Sequence, residues 1–418
     1  MEELKEKVIL IGVQLDDGVD VANSLKELQE LAATAGAETV GTVIQNREAV
    51  HPGTYIGKGK IEEVKDLIWE TEANGVICDD ELSPAQMKNL EDALDCKVMD
   101  RTIVILDIFA SRASTAEGKI QVELAQARYS LTRLAGFGTA MSRLGGGIGT
   151  RGPGETKLET DRRRIRSRIS QLKTELADVV RQRQVTRTLR EKNRVPVVAI
   201  VGYTNAGKST LLNRLTDAGV LSEDKLFATL DPTTRALALP SGEKVLFTDT
   251  VGFIHKLPHH LIDAFRSTLE EAKYADIITH VVDASNPDHE RQMAVVYETL
   301  RGLGADGKPI VTLFNKMDRV EEGYSYDPAA EKTLRISAVT GEGIPAYLST
   351  LEEILKAGKK HIDWIFEYRE AGKIQQIRKY GQLESEEYLE NGIEVKAWIP
   401  ERLYHQLREE NGDETIQE

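Results

Sequence analysis

Residues 195–219 place an apolar strand, a glycine-containing turn and a helix in an order that few folds accommodate. "VPVVAIVG" predicts a buried strand, "GYTNAGKS" a turn and "STLLNRLTDAG" a helix. The turn matches G-x-x-x-x-G-K-[ST], in which backbone N–H groups close around a β-phosphate, Lys208 neutralises β- and γ-oxygens and the Ser209 hydroxyl ligates Mg²⁺. We therefore expect a phosphate-binding loop formed by Gly202, Tyr203, Thr204, Asn205, Ala206, Gly207, Lys208, Ser209 and Thr210.

The chain after this loop continues to alternate between strand and helix patterns. Four more apolar segments predict buried strands: "VLFTD", "IITHVVDA", "PIVTLFN" and "TLRISA". Strands that alternate with helices in this way form a doubly wound, mostly parallel sheet. We expect this α/β domain to cover residues 195–357.

A D-x-x-G motif follows the first of these strands, as Asp249-Thr250-Val251-Gly252. Asp249 can hold Mg²⁺ through water, and the Gly252 N–H can meet a γ-phosphate. Taken alone, the motif is a weak signal, and a surface turn is the alternative interpretation. Many Ras-like GTPases place glutamine after this glycine to orient the attacking water. The phenyl side chain of Phe253 can neither donate nor accept a hydrogen bond, which predicts slow hydrolysis.

An N-K-x-D motif, Asn315-Lys316-Met317-Asp318, ends another apolar strand. A buried Asp318 carboxylate can accept the N1–H and 2-amino hydrogens of guanine, and adenine offers neither. Losing such bonds costs about 10⁴-fold in specificity. Ser337-Ala338, after a third strand, fits the loop whose backbone N–H contacts guanine O6. The order of these motifs predicts a GTPase domain, with GTP as substrate and Mg²⁺ as cofactor.

The segment "FATLDPTTR", residues 227–235, lies between the phosphate loop and the D-x-x-G motif. A threonine here should add its hydroxyl to Mg²⁺ when a γ-phosphate is present and so order the loop. Thr229, Thr233 and Thr234 are all candidates, and spacing does not choose among them.

Residues 1–111 predict a small α/β domain, because strands "KVILIGVQL", "ETVGTVIQ" and "GVICDD" alternate with helices. The helices cover "VANSLKELQELAATAG", residues 60–73 and a segment opened by Ser83-Pro84. "YIGKGK", residues 55–60, resembles a phosphate loop only weakly, and we interpret it as a structural turn.

Residues 112–194 predict a helical hairpin. Apolar residues recur at spacings of three and four in two segments, as Ile120, Leu124, Ala127, Leu131 and Leu134, and as Ile165, Ile169, Leu172, Leu176 and Val179. "GGGIGTRGPGE" lies between them, so we place it at the tip; it lacks the preceding strand of a nucleotide loop. A second helix from about 159 to 191 would be roughly 48 Å long.

Charge separates this hairpin from the rest of the chain. The whole sequence carries a net charge of −14, but residues 112–194 hold 19 basic and 8 acidic side chains between two acidic segments. Such asymmetry favours an RNA-binding element, although an interdomain spacer with solvated charges is the alternative. The glycines of the segment between the two helices would permit close approach of its backbone to RNA. We expect no DNA partner.

The remaining features are less informative. Residues 358–418 predict a small α/β appendage of two strands around a helix, for which the sequence indicates no function. The chain has two cysteines, Cys78 and Cys96, and no apolar run near the ~20 residues of a membrane span. We expect a cytoplasmic monomer without an integral membrane segment.

Six segments resemble the HflX family of the Obg–HflX superfamily, over nearly the whole chain: "HPGTYIGKGK", "GGGIGTRGPGETKLETDRR", "GYTNAGKST", "FATLDPTTR", "DTVGF" and "NKMD". The resemblance implies that Thr229 is the switch threonine and second Mg²⁺ ligand. It also places the neighbours of Thr229 at the nucleotide: Phe227, Ala228, Leu230 and Asp231. Asn205 occupies a position in the phosphate loop where the sequence resembles GTPases that use K⁺ as an additional positive charge.

The same resemblance implies a partner. Family members bind the large ribosomal subunit and split or rescue stalled and idle ribosomes. The hairpin tip would then reach ribosomal RNA near the peptidyl-transferase region, with contacts from Arg143, Gly147, Arg151 and Lys157. The alternative is a GTP-dependent RNA-binding or RNA-modification switch without ribosome-splitting activity.

Overall fold

The structure, a computed structural model, describes residues 5–16, 18, 20–142, 153–193, 195–216, 226–227, 233–256, 271–320 and 326–411. Several predicted site residues lie outside these ranges: Arg143, Gly147, Arg151, Ala228, Thr229, Leu230 and Asp231. Lys157 lies in a described helix, but its side chain is outside the described part. Among the described residues, no helix has the length and apolar character needed to cross a membrane.

The N-terminal region forms a parallel four-stranded sheet in the order β2-β1-β3-β4. Its elements are β1 (Lys7–Gln14), α1 (Val21–Thr34), β2 (Glu38–Asn46), α2 (Lys58–Thr71), β3 (Gly75–Cys78), α3 (Pro84–Leu94), β4 (Lys97–Asp100) and α4 (Arg101–Arg112). Residues 55–60, which we interpreted as a turn, continue into α2, because this helix begins at Lys58. The sequence did not predict β4 and α4, because Asp100 ends the strand and caps the helix with no turn residues between them.

Two long helices follow, α5 (Ala116–Ser142) and α6 (Pro153–Asn193). Eight of their ten predicted apolar residues meet in one cluster: Leu124, Ile169 and Leu172 are buried, with Ile120, Ala127, Leu131, Ile165 and Leu176 packed around them. The other two, Leu134 and Val179, are half-buried outside this cluster. The predicted start of the second helix near 159 is wrong. Helix α6 begins at Pro153, inside the glycine-rich run, because proline is accepted in a first helical turn. Its 41 residues span about 60 Å.

The GTPase-type sheet has six strands in the order β10-β9-β8-β5-β7-β6, and only β6 is antiparallel to its neighbour. Its elements are β5 (Val197–Gly202), α7 (Lys208–Thr216), β6 (Thr233–Ala238), β7 (Lys244–Asp249), β8 (Ile277–Asp283), α8 (His289–Gly302), β9 (Ile310–Asn315), β10 (Lys332–Arg335) and α9 (Ile344–Ala357). Because the order reverses beside β5, the loop after this central strand lies at the crevice where such folds bind ligands.

The C-terminal region differs from the prediction of two strands around a helix. It contains three antiparallel strands in the order β11-β13-β12 and two helices. These are β11 (Lys359–Phe366), α10 (Ala371–Tyr380), β12 (Gln382–Leu389), β13 (Gly392–Pro400) and α11 (Glu401–Asn411). Strand β12, "QLESEEYL", has too few apolar residues for its sequence to predict a strand.

The N-terminal sheet and the GTPase-type sheet share a continuous apolar core. Side chains from β1, α1 and α4 belong to the same buried cluster as those that follow β5 and β7. At its centre the rings of Phe109 and Phe227 meet edge to face, with centroids 4.7 Å apart. The N-terminal region therefore packs directly on the elements that carry the predicted phosphate loop.

Candidate nucleotide site

The predicted phosphate loop connects β5 to α7, in the strand–turn–helix setting that the motif requires. Gly207 has a φ of +96°, and a Cβ at this position would lie 2.3 Å from Asn315 Nδ2. Glycine is required here for both reasons, since a side chain would be strained and would displace the neighbouring loop. The close approach packs the phosphate loop against the N-K-x-D loop.

Lys208 is buried at the start of α7. Its Nζ donates to the Tyr203 carbonyl at 2.8 Å, which holds the side chain across the loop. Burial lowers the pKa of Lys208 to about 8, although the nearby Asp249 carboxylate opposes the shift. A phosphate anion would favour the charged form, so the lysine is matched to a polyanionic ligand.

Ser209, in the first turn of α7, lies next to Asp249, the last residue of β7. The Ser209 Oγ donates to Asp249 Oδ2 at 2.8 Å, and Asp249 is fully buried. A hydroxyl and a carboxylate at this separation are the oxygen ligands that Mg²⁺ prefers, directly or through water. The two residues therefore fit the predicted cation.

The D-x-x-G segment is not a surface turn. Asp249, Thr250, Val251 and Gly252 are buried, and Phe253 is 2% exposed. The Phe253 carbonyl accepts from Thr204 N at 2.7 Å, and its N–H donates to the Gly202 carbonyl at 3.1 Å. A Cβ at Gly252 would lie 2.9 Å from Lys208 Nζ. The segment is thus held against the phosphate loop, and Phe253 packs into the core.

The N-K-x-D loop is fixed by its own side chains. Asn315 Nδ2 donates to the Ala206 carbonyl at 2.8 Å, and Asn315 Oδ1 accepts from Ala338 N at 2.9 Å. The Ser337 Oγ donates to Asp318 Oδ1 at 2.6 Å. One asparagine therefore connects the phosphate loop to both loops predicted to recognise guanine.

The prediction that Asp318 is buried is wrong. Asp318 is exposed because Met317–Arg319 form a single 3-10 turn at the rim of the sheet. Lys316, which has a φ of +64°, lies beside it and pairs with Asp283 at 2.7 Å. The motif fixes the direction of the Asp318 carboxylate through Ser337 rather than by burial.

The structure describes two of the three candidate switch threonines. Thr233 and Thr234 lie in β6, where Thr234 Oγ1 is 3.0 Å from Thr248 Oγ1. The preferred candidate, Thr229, lies outside the described residues. At the start of this segment, Phe227 N donates to Thr204 Oγ1 at 2.9 Å, so Phe227 is fixed to the phosphate loop.

The N-terminal region contributes contacts at this site that the sequence did not predict. The Tyr203 hydroxyl donates to Glu27 on α1, and Lys256, just after the D-x-x-G segment, contacts Asp79 and Asp80. A cavity of about 400 Å³ lies between α1, the phosphate loop and α8. Its lining includes Lys26, Glu27, Asn205, Asp283, Arg291 and Lys316. Asn205 and Lys316 belong to predicted motifs, whereas no local motif marks Lys26, Glu27, Asp79 or Asp80, because these residues reach the site only in the folded chain.

The parallel sheet, the phosphate loop and the Asn315–Asp318 loop define a P-loop GTPase, an α/β enzyme that hydrolyses GTP. Residues 22–110 match the family described as GTP-binding GTPase N-terminal, residues 112–190 its middle region, and residues 197–316 the family described as 50S ribosome-binding GTPase. The chain belongs to the HflX family of GTPases.

The relatives cover most of the chain. The GTPase HflX of Lacrimispora saccharolytica is 64% identical over 97% of this chain and 96% of its own length. The GTPase HflX of Escherichia coli is 43% identical over 84% of this chain and 83% of its own length. A crystal structure of a GTP-binding protein from Sulfolobus solfataricus with GDP is 24% identical, has a TM-score of 0.45 and covers 83% of this chain and 98% of that one.

Proposed function

We propose that this GTPase binds the large ribosomal subunit in its GTP-bound form and uses the binding and hydrolysis of GTP to split or rescue stalled and idle ribosomes in the cytoplasm. The observation that carries the proposal is the basic helical hairpin between two acidic regions. Two further findings support it: residues 197–316 match a family described as 50S ribosome-binding, and the relatives are HflX proteins.

The hairpin is suited to RNA by charge and by length. Helix α6 exposes Arg163, Arg164 and Arg166 on the surface not packed against α5. Arginines bind phosphate oxygens and stack on bases, and phosphate contacts supply much of the affinity of RNA-binding proteins. With a length of about 60 Å, α6 can carry its first turn far from the GTPase sheet.

The tip of the hairpin is proposed to contact ribosomal RNA near the peptidyl-transferase region. Arg143, Arg151 and Lys157 would supply positive charge, and Gly147 with the neighbouring glycines would leave no side chains to block a narrow cleft. The nucleotide is proposed to bind residues 202–210, 227–231, 249–252, 315–318 and 337–338. Lys208, Asp249, Gly252 and Thr229 would carry the catalytic roles.

Mg²⁺, when bound, would neutralise charge on the β- and γ-phosphate oxygens. Ser209 and Thr229 are proposed as its protein ligands, and the buried Asp249 carboxylate orients the Ser209 hydroxyl. Lys208 would hold the phosphates, and the Gly252 N–H would donate to the γ-phosphate. Asn205, with a φ of +60° in the phosphate loop, is proposed to favour K⁺ as an additional positive charge.

The splitting activity is tested by light scattering of intact ribosomes mixed with the purified protein. We expect the signal to fall with a non-hydrolysable GTP analogue and to stay constant with GDP. If ribosomes remain intact with the GTP analogue while the protein still binds RNA, the function is that of an RNA-binding switch without splitting activity.

Intrinsic GTP hydrolysis is expected to be slow and to accelerate by roughly 10- to 1000-fold with large subunits. The reason is that Phe253 is buried and offers no group to position the attacking water, so the ribosome must order the switches or contribute one. Turnover should be measured in K⁺ and in Na⁺, each with and without subunits. We expect K⁺ to give the higher rate, and rapid turnover in Na⁺ without ribosomes would contradict both expectations.

A further inference from the structure

Three of the segments proposed to bind the nucleotide contact the N-terminal region directly or through the residues that follow them. Tyr203 of the phosphate loop donates its hydroxyl hydrogen to Glu27, and Phe227 packs edge to face on Phe109. Lys256 lies four residues beyond Gly252, and its Nζ is 2.5 Å from Asp79 Oδ2 and 2.6 Å from Asp80 Oδ1. The ion pairs of Lys256 therefore tie the end of the D-x-x-G segment to the N-terminal sheet.

The segment that ends at Lys256 is also held by the phosphate loop. The His255 N–H donates to the Tyr203 hydroxyl oxygen at 2.7 Å, and this hydroxyl donates its hydrogen to Glu27. Lys256 has a φ of +55°, a left-handed conformation that a lysine adopts only when its surroundings hold it there. His255 thus holds the end of the D-x-x-G segment to the phosphate loop, and Lys256 holds it to the N-terminal sheet.

The two acceptors of Lys256 are each held by other residues of the N-terminal region. Asp79, at the end of β3, is fully buried and accepts from Ser24 Oγ at 2.7 Å and from Arg101 Nη1 at 2.8 Å. Asp80 accepts from the hydroxyl of the buried Tyr55 at 2.6 Å. Burial raises the pKa of Asp79 and Lys256 opposes that shift, so the lysine stabilises a buried charge. Moving Lys256 therefore breaks both ion pairs.

A γ-phosphate requires space between Lys208 and Gly252. In this structure the Gly252 backbone packs closely on the phosphate loop: an ideal Cβ built at Gly252 would lie 2.9 Å from Lys208 Nζ and 2.8 Å from Thr204 Cα, so no side chain fits there. We expect a γ-phosphate that accepts from both Lys208 Nζ and the Gly252 N–H to widen this narrow gap. The displacement would be transmitted along four residues to Lys256.

We propose that Lys256, Asp79 and Asp80 form a latch that opposes the binding of GTP, but not of GDP, and that opens when a γ-phosphate displaces the D-x-x-G segment. The N-terminal region then senses the nucleotide through the opening of this latch. By reciprocity, whatever opens the latch from the N-terminal side strengthens GTP binding by the same factor. The proposal rests on GTP binding alone and is independent of any ribosomal role.

The test compares the affinities of a fluorescent GDP and a fluorescent non-hydrolysable GTP analogue in full-length variants. In Lys256→Met we expect GTP-analogue affinity to rise by about 5- to 20-fold and GDP affinity to change by less than about twofold. Asp80→Asn, whose amide oxygen can still accept from Tyr55, should give a smaller change in the same direction. Lys97→Met, which removes an exposed ion pair with Glu6 on the same sheet, should change neither affinity.

The double variant Lys256→Met with Asp80→Asn distinguishes a latch from two separate effects. Because the residues act as a pair, it should match Lys256→Met alone rather than the product of the single effects. An unchanged ratio of the two affinities in Lys256→Met would overturn the proposal. So would equal gains for GDP and the GTP analogue, or independent effects in the double variant.

Discussion

Replacing Asp318 with asparagine is expected to lower GTP affinity by about 10³-fold or more and to make xanthosine triphosphate the preferred nucleotide. A carboxylate can accept two hydrogens from guanine, whereas an amide presents one donor and one acceptor. Xanthine has a 2-oxo group in place of the 2-amino group and can accept from that donor. The Ser337 hydroxyl holds Asp318 Oδ1 at 2.6 Å, so the replacement should keep its position.

Competition binding with GTP, xanthosine triphosphate and ATP measures this change. The matched control is Asp306→Asn, which removes an exposed carboxylate from the same domain without touching the predicted nucleotide loops. We expect wild-type selectivity in the control. If Asp318→Asn also keeps the wild-type preference for GTP, the assignment of residues 315–318 to guanine recognition is wrong.

Shortening the segment 144–152, which connects α5 to α6, is expected to abolish ribosome splitting while GTP affinity and intrinsic turnover stay within about twofold of wild type. The deletion spares the start of α6 at Pro153, so the packing of α5 on α6 around Leu124 and Leu172 is retained. Light scattering of ribosomes measures splitting, and nucleotide titration measures affinity. The loop is proposed to act on RNA, which is why only the first measurement should change.

A second variant tests the charge of this segment without changing its length. Arg143→Ala with Arg151→Ala keeps the length, and it should weaken subunit binding and reduce the dependence of that binding on salt, because fewer phosphates are neutralised. Nucleotide affinity should again be unchanged. A shortened protein that lost nucleotide binding but still split ribosomes would place the loop in the nucleotide site.

The sequence predicted the parts of the site that depend on local spacing. The G-x-x-x-x-G-K-S motif requires a strand before it and a helix after it, and both are visible in a run of about 25 residues. The D-x-x-G and N-K-x-D segments were predicted at strand ends for the same reason. The motifs did not predict the exposure of Asp318, because solvent access depends on neighbouring loops.

The parts that the sequence missed depend on distant residues or on weak patterns. Strand β6 pairs with β7 at an edge of the sheet, and its sequence "TTRALA" has no buried face strong enough to mark it. Lys256 and Asp79 are separated by 177 positions in the chain, so no local periodicity indicates that they meet. The contact between the N-terminal region and the nucleotide loops could be found only in the folded protein.

The central claim, that GTP directs this protein to the large ribosomal subunit, is tested most directly by sedimentation. Purified protein is mixed with isolated large subunits, and the fraction that pellets is measured with a non-hydrolysable GTP analogue, with GDP and without nucleotide. We expect near-stoichiometric pelleting with the GTP analogue, at least about tenfold weaker binding with GDP, and a further loss as salt is raised. Equal pelleting in all three conditions, or none with the GTP analogue, would contradict the claim.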